Sequence, residues 1–201
     1  MFAATDDRML PGFADPVHHS QQVFAAVMQA MARPGRIHDI GKDLEVPGPL
    51  HPATGAILLT LADFDTPVWL DDDLADGAVR QWLQLHTGAQ IADHHENAAF
   101  VVAAGFGSMP DLATLALGTP EYPDRSATAI VQVDNLEAGA GWTLTGPGIE
   151  RAHRLACSPV PAGFAAAWAV NHDRFPLGID VILCAQQAVA CLPRTVEIRE
   201  G

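Results

Sequence analysis

The amino-acid sequence predicts an α/β protein in which a mixed β-sheet is flanked by helices. Two observations support this prediction. Apolar residues recur with helical spacing in the first part of the chain, whereas short apolar strands separated by brief turns dominate the later part. Strands joined by such short links have to run antiparallel, which makes the sheet mixed. The chain contains no internal repeat, low-complexity segment or linker, so we predict a single domain over residues 1–201.

The best-defined element is a helix that begins at Asp15-Pro16 and ends at Arg33-Pro34-Gly35. Aspartate can cap a first turn, and proline has the backbone angle of a first helical residue. A proline followed by glycine ends a helix, because proline disfavours helical geometry before it and glycine frees the turn. One buried face is predicted from the spacing of three and four between its apolar residues, namely Val23, Phe24, Val27, Met28 and Met31.

The remaining elements are predicted in the same way. Further helices are expected where apolar residues keep helical spacing after proline, glycine or aspartate, namely at residues 52–63, 79–86, 110–115 and 163–171. Strands are expected where short apolar runs lie between turn residues, namely at 66–70, 98–104, 126–133, 142–145, 179–183, 188–192 and 196–198. The runs 179–183 and 188–192 are predicted to form a hairpin.

The charge balance excludes several classes of protein. The chain has 24 Asp and Glu residues against 11 Lys and Arg residues, and its net charge is −13 with neutral histidines. So acidic a surface repels nucleic acid and anionic membranes, and 6% aromatic residues provide little for base stacking. Three cysteines without paired spacing are typical of a reducing cytosol. Asp6 and Asp7 are wrong for a secretory signal, and the longest charge-free run contains prolines, so we expect a cytoplasmic protein with no membrane span.

Three acidic or histidine-rich clusters are candidates for metal sites. Asp71-Asp72-Asp73 with Asp76 has carboxylates for a hard cation, but it lacks the spacing of a calcium loop, and solvated loop charge is the preferred interpretation. His94-His95-Glu96 and His18-His19 provide zinc ligands, but adjacent side chains point in different directions. We therefore predict no metal site.

Nucleophilic and cofactor chemistry is also weakly indicated. Cys157 lies four residues after His153, which alone is a poor signal for a catalytic pair, and Gly146-Pro147-Gly148 is predicted to be a tight turn rather than a phosphate loop. Lys42 is the only lysine and follows the first helix in a predicted loop. That is a poor position for the buried amine that forms a Schiff base with pyridoxal phosphate, so we predict no such cofactor.

Arginines in predicted turns remain as candidates for anion recognition, because a guanidinium binds phosphate through two parallel hydrogen bonds. They are Arg33, Arg125, Arg151, Arg174 and Arg194. Ordinary surface or structural ion pairs account for most such residues. The candidate set is Arg33, Asp180 and Arg194, since each follows or ends a well-predicted element, where loops usually carry chemistry. The residues alone thus leave open a stand-alone enzyme acting on a phosphorylated small molecule, with these three in a cleft.

Five short sequence segments, taken in their order along the chain, are more specific than the composition. They lie within Phe13–Gly35, Leu58–Leu70, Gly146–Ile149, Phe175–Asp180 and Leu192–Thr195. In this order and at these separations they resemble the H subunit of the bacterial carbon–phosphorus lyase system for phosphonate breakdown. The resemblance runs from Phe13 to Glu197, which is nearly the whole chain.

The resemblance implies a fold similar to the large domain of pyridoxal-phosphate-dependent transferases, arranged as a homodimer but without that cofactor. It implies the G, I and J subunits as partners in a core complex. With the G, I and L proteins, the family is implicated in making α-D-ribose 1-phosphonate 5-triphosphate from ATP and a phosphonate. The H subunit is not known to supply catalytic residues, so we assign none and expect a supporting subunit.

Overall fold

The computed structural model describes residues 10–75, 77–160 and 162–201, and Asp6, Asp7 and Asp76 lie outside these ranges. The described helices are α1 (Pro16–Ala32), α2 (Pro52–Leu61), α3 (Gly77–Thr87) and α4 (Phe164–His172). The described strands are β1 (His38–Asp39), β2 (Val68–Leu70), β3 (Phe100–Ala103), β4 (Thr128–Gln132), β5 (Asn135–Thr145), β6 (His153–Ser158), β7 (Asp180–Ala185), β8 (Ala188–Leu192) and β9 (Glu197–Arg199).

A six-stranded mixed sheet forms the centre of the fold. Its strand order is β1-β8-β7-β4-β3-β2, with β2, β3, β4 and β7 parallel and with β8 and β1 antiparallel to their neighbours. The prediction of an α/β fold with a mixed sheet flanked by helices is confirmed, as is the β7–β8 hairpin. None of the described helices has both the length and the apolar character needed to cross a lipid bilayer.

A second, antiparallel sheet of three strands in the order β6-β5-β9 was not predicted. Residues 142–145 are only the end of β5, and β6 was missed. The first half of β5 carries two glycines and no β-branched residue, and β6 has none either, so the usual strand signal is absent. The pairing of β5 with β6 shifts register between Ala138 and Trp142, where Gly139 and Gly141 have positive φ angles. The predicted helix at 110–115 is a single 3₁₀ turn at Leu112–Thr114.

Alternating side chains of the main sheet build two apolar cores. On one face, Ile130, Ile182 and Val189 pack with helices α1, α2 and α3. On the other face, Val131 and Leu183 pack with helix α4 and with the second sheet. The alternation follows from the period of two along a strand, and burial on both faces is the usual state of a parallel sheet.

Helix α1 begins and ends where the sequence predicts. The Asp15 carboxylate accepts a hydrogen bond from the backbone N–H of His18 at 3.2 Å, and this bond helps to hold the pKa of Asp15 below its usual value. The predicted buried face is wrong in two positions. Val23, Val27 and Ala30 are buried, whereas Phe24 is 50% and Met28 51% exposed. Both lie about 100° around the helix from the buried row, because each follows a buried residue by one position.

Candidate functional site

Asp180 and Arg194, two of the three predicted site residues, lie together at the amino edge of the main sheet. Asp180 begins β7 and Arg194 follows β8 by two residues, so the hairpin brings them side by side. Arg194 Nε is 3.1 Å from Asp180 Oδ1, and Arg194 Nη2 is 2.6 Å from Asp180 Oδ2. The backbone N–H of Arg194 also donates to Asp180 Oδ1 at 2.7 Å.

The other N–H groups of Arg194 are bound by neighbouring loops. Nη1 donates to the carbonyl oxygens of Pro123 at 3.1 Å and Pro176 at 3.4 Å, and Nη2 donates to Ser126 Oγ at 2.5 Å. A guanidinium has five N–H donors, and all five have partners here. The geometry therefore favours a role for Arg194 in fastening the β7–β8 hairpin to the loop ahead of β4, with no donor left for a small anion.

Arg33 lies elsewhere, at the carboxyl end of α1. Its exposed side chain donates one hydrogen bond to Gln29 Oε1 at 3.0 Å. No hydrogen bond or ion pair connects it to Asp180 or Arg194 within the described part of the chain. An anion site formed by all three residues stays a prediction, and the structure brings only two of them together.

Open α/β sheets usually bind ligands at the carboxyl edge of their parallel strands, and Asp71 follows β2 at that edge. Asp71 is 2% exposed, so the expected solvated loop charge is wrong for this residue. Its carboxylate accepts hydrogen bonds from the backbone N–H groups of Leu74 at 2.9 Å and Ala104 at 2.7 Å, and from the Ser108 hydroxyl. Asp71 therefore ties the loop after β2 to the loop after β3.

Gln132 has a similar part at the end of β4. It is 3% exposed, its Oε1 accepts from the backbone N–H of His51 at 2.6 Å, and its Nε2 donates to the Pro49 carbonyl at 3.2 Å. The His51 ring Nδ1 lies 3.1 Å from the Cys184 carbonyl oxygen. These contacts hold the loop ahead of α2 against the ends of β4 and β7. Asp71 and Gln132 thus both use their polar groups within the fold.

The cysteines lack the features of nucleophiles. Cys157 and His153 are four residues apart on strand β6, about 13 Å along an extended chain, and do not form a pair. Burial raises the pKa of the Cys157 and Cys184 thiols to about 12, and it also raises that of Cys191 well above its usual value. A thiol with so high a pKa is protonated and unreactive at neutral pH. The tight turn predicted at Gly146-Pro147-Gly148 is confirmed by a hydrogen bond from Ile149 N to Gly146 O at 3.2 Å.

Lys42 and the histidine pairs make local contacts. Lys42 Nζ lies 3.0 Å from Asp39 Oδ2 and its side chain is 64% exposed, as its predicted loop position implies. His18 Nδ1 lies 2.7 Å from Asp15 Oδ2, and His95 Nε2 lies 3.0 Å from Thr114 Oγ1. Within residues 10–75, 77–160 and 162–201, no three His, Cys, Asp or Glu side chains are grouped so that they could hold a metal ion.

The sequence reasoning missed a basic groove of about 760 Å³ between the segment Gly35–His38 and strands β5 and β6. No residue that lines it has a carboxylate side chain. Four lining residues carry or can accept a positive charge, namely Arg36, His38, His153 and Arg154. In a chain with 24 acidic residues, such a lining departs from the average surface. We name this feature the basic groove. Its two walls are at least 100 residues apart in the chain, and β6 was not predicted, so no local pattern pointed to it.

Gly35 and His153, which both line the basic groove, pack closely against each other. A Cβ atom at Gly35 would lie 2.8 Å from the His153 Cβ, so only glycine allows this approach, and its φ of +85° also suits glycine. His153 Nδ1 lies 2.7 Å from the Pro34 carbonyl oxygen and donates to it, since a carbonyl oxygen can only accept. The other ring nitrogen of His153 is left without a described partner.

Comparison with known proteins gives concordant results. A family model described as "Bacterial phosphonate metabolism protein (PhnH)" matches residues 11–199. The chain is 42% identical over 186 residues to the "Alpha-D-ribose 1-methylphosphonate 5-triphosphate synthase subunit PhnH" of Rhizobium meliloti (strain 1021), covering 92% of this chain and 93% of that protein. It is 32% identical over 179 residues to the "Putative C-P lyase subunit protein HtxG" of Stutzerimonas stutzeri, covering 89% of this chain and 85% of that protein.

Proposed function

The chain belongs to the PhnH family of bacterial phosphonate metabolism proteins, and on that premise we propose that it is a subunit of a carbon–phosphorus lyase complex in phosphonate catabolism. Within that complex it supports the formation of an α-D-ribose 1-phosphonate 5-triphosphate from ATP and a phosphonate. The observation that carries this proposal is the match over nearly the full length to two proteins that are both named as subunits.

The contribution we propose is binding and assembly rather than bond breaking. The groups best suited to chemistry are used within the fold: Asp180 by Arg194, and Asp71 by three donors. Burial and a raised pKa keep the thiols of Cys157 and Cys184 protonated. The arrangement of Arg33, Asp180 and Arg194 does not favour the alternative of a stand-alone enzyme acting on a phosphorylated small molecule.

We further propose a homodimer that forms through helix α1. All 17 residues of this helix lack Asp, Glu, Lys and Arg, although one side of it faces solvent with Val17, Phe24 and Met28 exposed. We name these three residues and the helix surface between them the α1 face. Two copies of a chain with net charge −13 repel each other, and a surface without charges is where they can approach at the lowest electrostatic cost. Exposed apolar residues supply the attraction.

Three further expectations are retained as proposals. The chain works without pyridoxal phosphate, in support of which Lys42 is exposed and paired with Asp39. Its architecture is related to the large domain of pyridoxal-phosphate-dependent transferases. It resides in the cytoplasm, where a reducing milieu suits the three free and buried thiols.

Co-purification tests the subunit proposal directly. The chain is expressed with an affinity tag beside untagged G, I and J subunits, and the mass and stoichiometry of the purified material are measured. A stoichiometric complex is expected, and tagged chain expressed without partners is the control for its own oligomeric mass. Purification of the tagged chain alone, with all partners present and folded, would contradict the subunit role.

A further inference from the structure

The basic groove combines free cationic groups with an open volume. The Arg36 side chain forms no hydrogen bond or ion pair with any described residue, and Arg154 donates only one hydrogen bond, from Nη2 to the Gly141 carbonyl oxygen at 3.2 Å. Arg194, by contrast, has no free donor. Arg36 and Arg154 together therefore hold most of their N–H groups available at the surface of one groove.

Two imidazoles belong to the same lining. His38 Nε2 is buried and has no hydrogen-bond partner among the described residues, which is energetically costly. His153 donates from Nδ1 to the Pro34 carbonyl oxygen, which in the neutral ring leaves its other nitrogen as an acceptor. Four nitrogen-bearing residues from two segments, Gly35–His38 and β6, thus line one space.

The acidic side chain next to His38 does not neutralise this lining. Asp39, the next residue after His38, belongs to the opposite side of β1, where it pairs with Lys42 at 3.0 Å. The remaining negative charge of the protein is distributed over the chain, and its field is screened over about 8 Å at physiological salt. Within the groove the local positive groups therefore outweigh the net charge of −13.

From this geometry we propose that the basic groove binds an oligophosphate, namely the triphosphate group of a nucleotide or of a sugar triphosphate. Guanidinium groups bind phosphate oxygens through paired hydrogen bonds, and several of them suit a ligand with several charges better than a single phosphonate. The volume of about 760 Å³ lies within the range of small-molecule sites and leaves room for a sugar beside the phosphates. The choice of a triphosphate among anions rests on the proposed function, whereas the presence of an anion site does not.

Binding of inorganic tripolyphosphate to the full chain tests this inference. Isothermal titration in 150 mM salt without divalent cations compares the wild type with Arg36→Ala and Arg154→Ala. Loss of one charge-assisted contact is expected to weaken binding about tenfold in each variant, and more in the double variant. Arg80→Ala is the matched control, because Arg80 is also exposed and donates one hydrogen bond to a carbonyl oxygen, that of Ala75.

A second variant separates a shaped site from diffuse charge attraction. Ala138 is exposed on β5 and lines the groove, so Ala138→Trp fills the space without changing any charge. It is expected to abolish tripolyphosphate binding while circular dichroism and the unfolding temperature stay those of the wild type. Unchanged binding in Ala138→Trp, or equal weakening in Arg80→Ala and Arg36→Ala, would overturn the proposal.

Further ligands distinguish the possible sources of the triphosphate. Tighter binding of ATP than of tripolyphosphate would assign the groove to a nucleotide, and equal binding would assign it to the phosphates alone, as in a sugar triphosphate. Methylphosphonate and orthophosphate are expected to bind at least tenfold more weakly than either. No binding of tripolyphosphate by the wild type, together with loss of partner subunits in Arg36→Ala, would make the groove a protein contact and refute the ligand assignment.

The two proposals fail separately. If the wild type does not co-purify with the G, I and J subunits, the subunit role is contradicted, but the proposal that the groove binds tripolyphosphate is not. Absence of tripolyphosphate binding bears on the groove and leaves co-purification intact.

Discussion

Replacing Arg194 by alanine decides whether this residue is a structural tie or an anion clamp. The change removes all five N–H donors at once and leaves the Asp180 carboxylate, which is 23% exposed, with only the backbone N–H of residue 194. The Arg194 side chain itself is 13% exposed. Taking one partner from a largely buried ion pair destabilises a protein by about 3–5 kcal/mol, mostly through the charge left behind. We expect Arg194→Ala to lower the free energy of unfolding by an amount in that range.

The expected loss is large enough to measure in two ways. For a chain of this length, about 3 kcal/mol at the midpoint lowers the unfolding temperature by roughly 6–12 °C. Urea unfolding followed by tryptophan fluorescence gives the free energy itself, and Trp168 is a suitable probe because it is fully buried and donates to the Val196 carbonyl oxygen at 2.7 Å. A smaller midpoint urea concentration with an unchanged slope is the expected result.

Two further variants isolate the ion pair from the loss of packing. Arg194→Met keeps most of the apolar stem, and Asp180→Asn removes the charge that would be left unpaired. In a double-mutant cycle these changes are expected to be coupled by about 2–3 kcal/mol, so that the double variant is more stable than the sum of the single changes predicts. Arg33→Ala is the control, because that exposed side chain has only one hydrogen bond, to Gln29.

The anion-clamp hypothesis predicts the opposite pattern. If Arg194→Ala changes the free energy of unfolding by no more than Arg33→Ala but weakens binding of a phosphorylated ligand, the structural reasoning is refuted. If the free energy of unfolding falls and the refolded variant binds tripolyphosphate as the wild type does, the ion pair between Asp180 and Arg194 has a structural role.

Three other outcomes are expected. Phe24→Asp should convert the proposed dimer into monomers in light scattering, since a charge on the α1 face restores repulsion between copies, whereas Leu85→Asp on the exposed side of α3 should leave the dimer intact. Gly35→Ala should lower the free energy of unfolding, measured with urea, by about 2 kcal/mol, because the φ of Gly35 is +85° and the added Cβ would meet His153. Gly77→Ala is the control and should leave the free energy of unfolding unchanged, because no atom lies within 4 Å of the added Cβ. Burial raises the pKa of Cys184 from 9.0 to about 12, so its stabilising contribution is complete below pH 9 and is lost as the pH rises towards 12; Cys184→Ala should remove that part of the pH dependence of unfolding.

The sequence predicts best those features that depend on neighbouring residues. The hairpin of β7 and β8 was predicted from two apolar runs, 179–183 and 188–192, that are separated by four residues, and its register places Val181 opposite Leu192. Asp180 and Arg194 precede and follow these positions, so their proximity follows from the hairpin. The sequence contains nothing, however, that assigns Pro123, Pro176 and Ser126 to the same guanidinium. Those contacts decide that Arg194 has no free donor, and they come from loops far away in the chain.

The basic groove could not be predicted for a related reason. Strand β6 has no β-branched residue, and the start of β5 contains Gly139 and Gly141, so neither gives the alternating apolar pattern of a half-buried strand. Without these strands, Arg154 has no assigned neighbour. The exposed side of α1 was misread for another reason. The spacing of apolar residues shows that a helix is amphipathic. It does not show whether an apolar side chain packs in the core of its own chain or contacts another protein, because both kinds of residue have the same spacing.

The α1 face and the basic groove are neighbours in the chain, and this has a thermodynamic consequence. Helix α1 ends at Ala32, and one wall of the groove begins at Gly35, which is held against His153 and leads directly into β1. We expect a contact that shifts α1 to shift the groove wall as well, because only Arg33 and Pro34 lie between them. If assembly through α1 alters the affinity of the groove, then a ligand in the groove must alter assembly by the same factor, because the coupling free energy is shared. In the binding and assembly role proposed above, this coupling would make assembly of the complex depend on the presence of the ligand.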